Sequence, residues 1–169
     1  VVRGVDHIGV PADVVNCGES GSTMRFIAPI LAHAKGMSIL TGGPSLRQRP
    51  MQSLIDSLRQ LGIQCYSARN DGLPPLVLFG GTYRGGDVWI PGDVSSQFIS
   101  GLLFSAPLAR DPTSIVVITA LESKPYVRMT LEILRRHGIK TDTNADLTRF
   151  TIRGGQSTNS YNHIIEGDY

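Results

Sequence analysis

The sequence predicts an α/β (α+β) fold in which a βαβαββ unit is used twice, its helices packed together inside an outer layer of sheets. Three observations lead there. The chain repeats itself at a displacement of about 75 residues. Its helical segments carry one apolar stripe each. Short β-branched runs lie between turns, for which Gly 19 and Pro 10 supply the residues. A helix with one apolar face needs a neighbour to cover it, so helices of successive units share a core and sheets close it from outside.

The repeat is legible residue by residue. Gly18-Glu19-Ser20-Gly21-Ser22-Thr23-Met24, followed by Pro29-Ile30-Leu31-Ala32, returns as Gly92-Asp93-Val94-Ser95-Ser96-Gln97-Phe98, followed by Pro107-Leu108-Ala109. Ser38-Ile39-Leu40 matches Ser114-Ile115-Val116, Leu61-Gly62-Ile63 matches His137-Gly138-Ile139, and Leu78-Phe79-Gly80-Gly81 matches Ile152-Arg153-Gly154-Gly155. Trp89-Ile90-Pro91-Gly92-Asp93 corresponds to Ile164-Ile165-Glu166-Gly167-Asp168, so a further copy is expected to begin where the sequence stops.

Taken in order, each copy opens on the Gly-acid-x-Ser turn and continues into a helix, about Thr23 to His33 or Gln97 to Ala109, with serines placed to cap it. A β-branched strand follows, Ser38 to Leu40 or Ser114 to Thr119, then a loop containing Pro44 or Pro125. The second helix of the first copy, about Pro50 to Leu61, sets Met51, Leu54, Ile55, Leu58 and Leu61 on one face. Pro50 suits its first position and Gly62 its left-handed stop. The counterpart, about Val127 to His137, offers Val127, Thr130, Leu131 and Leu134 and stops at Gly138. Two strands complete each copy, Leu76 to Phe79 with Val88 to Ile90, and Phe150 to Ile152 with His163 to Ile165. The expected domain spans 1–167, with repeats at about 14–88 and 89–165. A three-unit domain that lacked one unit would expose apolar helix surface, which predicts self-association or poor solubility; the alternative is a self-sufficient pair.

Composition narrows the function classes. A chain of 169 residues holds one sizeable core, and a net charge of +2 is too slight for a general nucleic-acid surface. Apolar stretches stop well short of the roughly 20 residues a bilayer span needs, so no membrane role is expected. Cys17 and Cys65 read as reduced thiols, and a cytoplasmic location is expected. His7, His33, His137 and His163 lack metal-ligand spacing and read as capping or surface residues. No Walker-type or dinucleotide-binding loop occurs. Neither a metal nor an organic cofactor is expected.

Three loop–helix junctions carry the chemistry. Ser95-Ser96-Gln97 opens a helix, where free N–H groups and the positive dipole end attract phosphate or carboxylate, although either serine also suits a plain N-cap. Ser45-Leu46-Arg47-Gln48-Arg49-Pro50-Met51 places arginines before a helix. There, one of them either grips a carboxylate in two parallel bonds or lies solvated on the surface. Ser123-Lys124-Pro125-Tyr126 occupies the equivalent junction of the second copy with two hydroxyls and an ammonium, which alone decides nothing.

Together with Gly18-Glu19-Ser20-Gly21-Ser22-Thr23-Met24-Arg25 and the continuation Phe98-Ile99-Ser100-Gly101-Leu102-Leu103, these junctions stand in the order and at the intervals of one family. From about Asn16 to Asp168 the chain closely resembles the 3-phosphoshikimate 1-carboxyvinyltransferases, or EPSP synthases. UDP-N-acetylglucosamine enolpyruvyl transferases share the fold, but their distinctive loops are not seen. A nucleotide-sugar transferase and a non-catalytic repeat module binding a protein partner are the alternatives.

The resemblance implies an enolpyruvyl-transferase-like domain of three βαβαββ units, hinged to a similar second domain. It implies that this chain is the N-terminal substrate-binding half without its first unit, that 166–169 starts the crossover to the second domain, and that the chain alone is inactive. The family moves the enolpyruvyl group of phosphoenolpyruvate to the 5-hydroxyl of shikimate 3-phosphate in aromatic amino-acid biosynthesis. Position by position, Ser95, Ser96, Gln97, Ser123 and Tyr126 resemble contacts to shikimate 3-phosphate, and Gly21, Arg49 and Gln97 contacts to phosphoenolpyruvate. No catalytic acid or base is implied within this chain. Glu19 departs from the usual asparagine and Ser22 from the usual threonine; a carboxylate so near an anion is repulsive unless it turns away or pairs with Arg25.

Overall fold

The computed structural model describes residues 4, 5 and 7–164. Within them the βαβαββ order occurs twice. The first unit comprises β1 (Val15–Asn16), α1 (Gly21–Leu31), β2 (Met37–Thr41), α2 (Gln52–Gln60), β3 (Gln64–Ser67) and β4 (Leu76–Phe79). The second comprises β5 (Gly86–Ile90), α3 (Ser96–Ser105), β6 (Thr113–Val117), α4 (Lys124–Arg136), β7 (Thr141–Thr143) and β8 (Arg149–Ile152). Each builds a four-stranded sheet with the same strand order, β1-β2-β4-β3 and β5-β6-β8-β7. Crossing through a helix makes the first pair parallel, Val15 opposite Leu40 and Val88 opposite Ile115, whereas the closing hairpins are antiparallel.

The strand content differs from the sequence reading in one systematic way. Val88–Ile90 does not close the first unit; it lies in β5, which opens the second and pairs with β6. The missing hairpin strands are β3 and β7. In β3, Cys65 and Ser67 are buried while Gln64 and Tyr66 face out, so a count of β-branched residues passes over it. In β7, Thr141 is half-buried and Asp142 and Thr143 are exposed, and the strand is held by backbone pairing to β8. His163 and Ile164 lie in no strand, and Ile165 with the Glu166-Gly167-Asp168 turn lies outside the described residues.

Helix ends shift for local reasons. Pro50 lies ahead of α2, whose N-cap is Met51, and Pro125 lies inside the first turn of α4, where its absent N–H has no partner to lose. α3 ends at Ser105 and tightens into a 3₁₀ turn at Ala106–Leu108 around Pro107.

One core runs through both units. The α2 stripe of Met51, Leu54, Ile55, Leu58 and Leu61 is buried, as are Val127, Thr130 and Leu134 of α4, with Leu131 half-buried beside them. α3 is the most enclosed helix: Phe98, Ile99, Leu102 and Leu103 are fully buried, each burial contributing about 1.5–3 kcal/mol. Its Gly101 faces α1, where a Cβ would overlap the Arg25 carbonyl oxygen. That carbonyl is the one Pro29, inside α1, cannot bond for want of an N–H. A glycine on α3 therefore meets the gap that a proline leaves in α1, and the two helices close there. Ser105 adds a bond from its hydroxyl to the Pro29 carbonyl at 2.8 Å.

Candidate functional site

The close α1–α3 contact brings the two helix starts, one from each unit, side by side. Ser20 caps α1 by accepting from Thr23 N at 3.1 Å, and Ser95 caps α3 by accepting from Gln97 N at 3.3 Å. The capping role open for Ser95 is thus the one it fills, while Ser96 is the first helical residue and is buried. At α4 the cap differs. Ser123 takes a left-handed conformation, φ 55°, and makes no side-chain cap bond. A non-glycine residue there is strained, and strain of this kind concentrates at binding sites.

Ser95, Ser96, Gln97, Ser123 and Tyr126 line one cleft of about 310 Å³, together with Arg25, Asp93, Val94 and Glu122. Its chemistry is polar: three hydroxyls, a phenol, an amide and a guanidinium, with Asp93 and Glu122 adding carboxylates. Tyr126 stands 61% exposed, so its phenol is reachable from solvent.

Gly21 and Arg49 are not part of that lining. They lie next to Arg25, which does line the cleft. The Arg49 Nη1 atom lies 2.8 Å from where a Gly21 Cβ would stand, and the Arg25 Cζ atom 3.8 Å from the same point. Two guanidiniums therefore flank Gly21, and a side chain there would require Arg49 to shift. Neither forms an ion pair among the described residues. Arg25 is half-buried over the Phe98 ring at 4.9 Å, and its Nε is enclosed without a hydrogen-bond partner. Burial foremost, and the neighbouring Arg49 charge next, hold its guanidinium below the usual arginine range.

Arg25 also sets the amide of Gln97. Its Nη1 donates to Gln97 Oε1 at 2.9 Å and approaches Ser95 Oγ at 3.4 Å, while Gln97 Nε2 donates to Ser22 Oγ at 2.7 Å. Arginine has no acceptor, so it selects the amide orientation: oxygen toward Arg25, nitrogen toward Ser22 and the space beyond. The sequence reading passed over Arg25 as a site residue. The available signal was its spacing, four residues after Gly21 and so on the same helix face.

Glu19 does turn away. Its Oε2 accepts from Leu46 N at 2.9 Å, it is absent from the cleft lining, and among the described residues it makes no ion pair with Arg25. Outside the site, Cys17 and Cys65 are free and buried, and burial pushes the Cys65 thiol up to about 12. His137 caps the end of α4, and His33, just past the end of α1, is half-buried: its Nε2 meets the Ser105 carbonyl at 3.1 Å beside the Tyr83 ring.

A family model for EPSP synthase (3-phosphoshikimate 1-carboxyvinyltransferase) matches residues 1–169. The 3-phosphoshikimate 1-carboxyvinyltransferase of Methanococcus maripaludis strain C6 is 39% identical over 172 residues, covering 100% of this chain and 40% of the relative. That of Methanocella arvoryzae is 42% identical over 160 residues, covering 95% of this chain and 37% of the relative. Among solved structures, EPSP synthase from Acinetobacter baumannii superposes with a TM-score of 0.76 at 28% identity, covering 89% of this chain and 32% of that one. The chain spans about 40% of the length of the curated relatives it matches. By sequence over its whole length, and by the fold and doubled topology described above, the chain belongs to the EPSP synthase family.

Proposed function

We propose that this chain supplies the substrate-binding half of a 3-phosphoshikimate 1-carboxyvinyltransferase. Such an enzyme moves the enolpyruvyl group of phosphoenolpyruvate to the 5-hydroxyl of shikimate 3-phosphate and releases phosphate through a tetrahedral adduct. In this reading Ser95, Ser96, Ser123 and Tyr126 hold shikimate 3-phosphate. Gly21 and Arg49 hold phosphoenolpyruvate, and Gln97 touches both. Arg25 joins them as a further cation and as the residue that orients the Gln97 amide.

The observation that carries the proposal is the pair of guanidiniums, Arg25 and Arg49, flanking Gly21 with no carboxylate partner among the described residues. Both substrates bear a phosphate and a carboxylate; Arg25, half-buried without a counter-charge, gains most from such a ligand, and the exposed Arg49 adds a second cation beside it. The chemistry between them needs a general acid and base, which in this reading come from the second domain of the parent chain; the 169 residues alone bind without turnover. The expected cytoplasmic site of action belongs to the same reading. No helix among the described residues is long and apolar enough to cross a membrane.

Calorimetric titration of the chain with shikimate 3-phosphate tests this directly. Saturable binding that Ser123→Ala weakens supports the reading. No heat at millimolar ligand, with the chain shown to be folded, removes it.

A further inference from the structure

The acidic residue of each repeat lies within two residues of the proposed anion site, which looks self-defeating until its partners are traced. In the first unit, Glu19 Oε2 accepts from Leu46 N at 2.9 Å, and the other carboxylate oxygen fills the space a Gly43 Cβ would occupy. The same turn is held by Gly43 N donating to Gly18 O at 2.8 Å. The loop so gripped, residues 42–49, ends at Arg49. In the second unit, Asp93 Oδ1 accepts from the Thr119 hydroxyl at 2.8 Å, and Thr119 Oγ1 in turn accepts from Gly92 N at 2.8 Å. Glu122 N donates to Gly92 O at 3.2 Å, the counterpart of the Gly43–Gly18 bond. The loop gripped here, residues 119–123, ends at Ser123. Aligned carboxylates with different partners, Glu19 on a backbone amide and Asp93 on a threonine hydroxyl, thus make the same connection at equivalent places.

We propose that Glu19 and Asp93 are equivalent positioning residues, each latching the helix-start turn of its unit to the loop after the next strand. Each carboxylate bonds that loop and holds the ligand-binding groups at the two ends in register. Glu19 sets Gly21 against Arg49; Asp93 sets Ser95 and Ser96 against Ser123. The proposal rests on the substrate assignment above only for the identity of the ligands. Because the latches belong to different units, they act on different ligands. Loss of Glu19 harms phosphoenolpyruvate binding and spares shikimate 3-phosphate, and loss of Asp93 does the reverse. A carboxylate that merely repels a nearby anion has the opposite sign, since its removal tightens binding.

The test has two arms, both on the chain as described. In the ligand-free arm, amide hydrogen exchange at Leu46 is compared between the wild type, Glu19→Gln and Glu19→Ala. Removing a hydrogen bond to a charged acceptor is expected to speed exchange by roughly tenfold or more in Glu19→Ala, with Glu19→Gln intermediate because its amide oxygen still accepts. Gly43→Ala, which displaces the carboxylate from the other side, is expected to match Glu19→Ala and serves in its place should that variant not fold. Unchanged exchange at Leu46 in both overturns the latch whether or not any ligand binds. In the ligand arm, dissociation constants for phosphoenolpyruvate and shikimate 3-phosphate are measured for Glu19→Ala and Asp93→Ala. A crossed pattern with losses of roughly tenfold, partly recovered in Glu19→Gln and Asp93→Asn, supports the proposal. Equal losses for both ligands, or tighter phosphoenolpyruvate binding in Glu19→Ala, overturn it. If neither ligand binds the wild type while Leu46 protection depends on Glu19, the substrate assignment fails and the latch stands.

Discussion

The Arg25 guanidinium donates to the Gln97 side-chain carbonyl at 2.9 Å, joining the helix starts of two repeats across 72 residues of sequence. This bond makes one site of two. It carries the Gly21–Arg49 region to the cleft of Ser95, Ser96, Ser123 and Tyr126, and it fixes which end of the Gln97 amide donates. Arg25→Ala is expected to weaken the binding of both ligands, by about 1.5–3 kcal/mol each, because a charge-assisted bond and a cation are lost together. Arg25→Lys retains the charge and recovers part of the loss, its shorter, differently shaped head lacking the planar guanidinium that places Nη1 against Gln97 and Ser95. Calorimetry on the two variants checks this; an effect on only one ligand contradicts the bridging role.

Arg49→Ala is expected to act on phosphoenolpyruvate alone, costing roughly 2–5 kcal/mol if the anion is desolvated against Gly21. Gly21→Ala tests the same contact from the opposite side, since its methyl would stand 2.8 Å from Arg49 Nη1. A Gly21→Ala chain that folds and still binds phosphoenolpyruvate with unchanged affinity contradicts the close backbone approach.

Gly101→Ala links packing to the site. Its methyl overlaps the Arg25 carbonyl across the α1–α3 contact, so α1 must move, and overpacking of this kind costs about 1–3 kcal/mol. Urea unfolding reports the stability loss, and the Arg25 and Gln97 side-chain resonances are expected to shift with it. A stable variant with those resonances unmoved places the helix contact elsewhere.

Stability is expected to fall in acid partly through His33. Burial, offset by the Ser105 carbonyl, holds its imidazole below the usual histidine range. Its folded value being depressed, the unfolded chain binds the proton more readily. The stability it contributes is therefore present above the unfolded value of about 6.5 and is lost as pH falls below it toward the folded one. Urea midpoints at pH 8 and pH 5.5 are expected to differ less in His33→Gln than in the wild type. Parallel behaviour of the two contradicts this assignment.

How much of this was legible in the sequence follows from what each feature leaves as a pattern. The α2 stripe and the glycine stops at Gly62 and Gly138 follow helical periodicity and turn chemistry, and they stand where expected, Gly62 at φ 79° and Gly138 at φ 83°. The doubled unit was readable because the helix-start turns repeat. The hairpin strand Gln64–Ser67 was not, since its outward residues are Gln64 and Tyr66 and it is held by backbone pairing across the hairpin, Tyr66 opposite Val77. The site residues were named through the family resemblance; each junction alone left a cap or surface role open beside an anion contact. What no local motif contained was Arg25 as the bridge, or the turn of Glu19 toward Leu46, because both depend on how two loops distant in sequence meet. Pro29 and Gly101 show the same limit: each is visible as a residue, but the contact between them exists only after α1 and α3 pack.

The central claim is that Gly21, Arg25, Arg49, Gln97, Ser95, Ser96 and Ser123 form one connected anion site. Nuclear magnetic resonance titration of the isotopically labelled chain with each ligand tests it most directly. Phosphoenolpyruvate is expected to shift Gly21, Arg49, Arg25 and Gln97, shikimate 3-phosphate to shift Ser95, Ser96, Ser123 and again Arg25 and Gln97, the two sets meeting at that pair. Shifts confined to surfaces that exclude Arg25 and Gln97 would contradict the account.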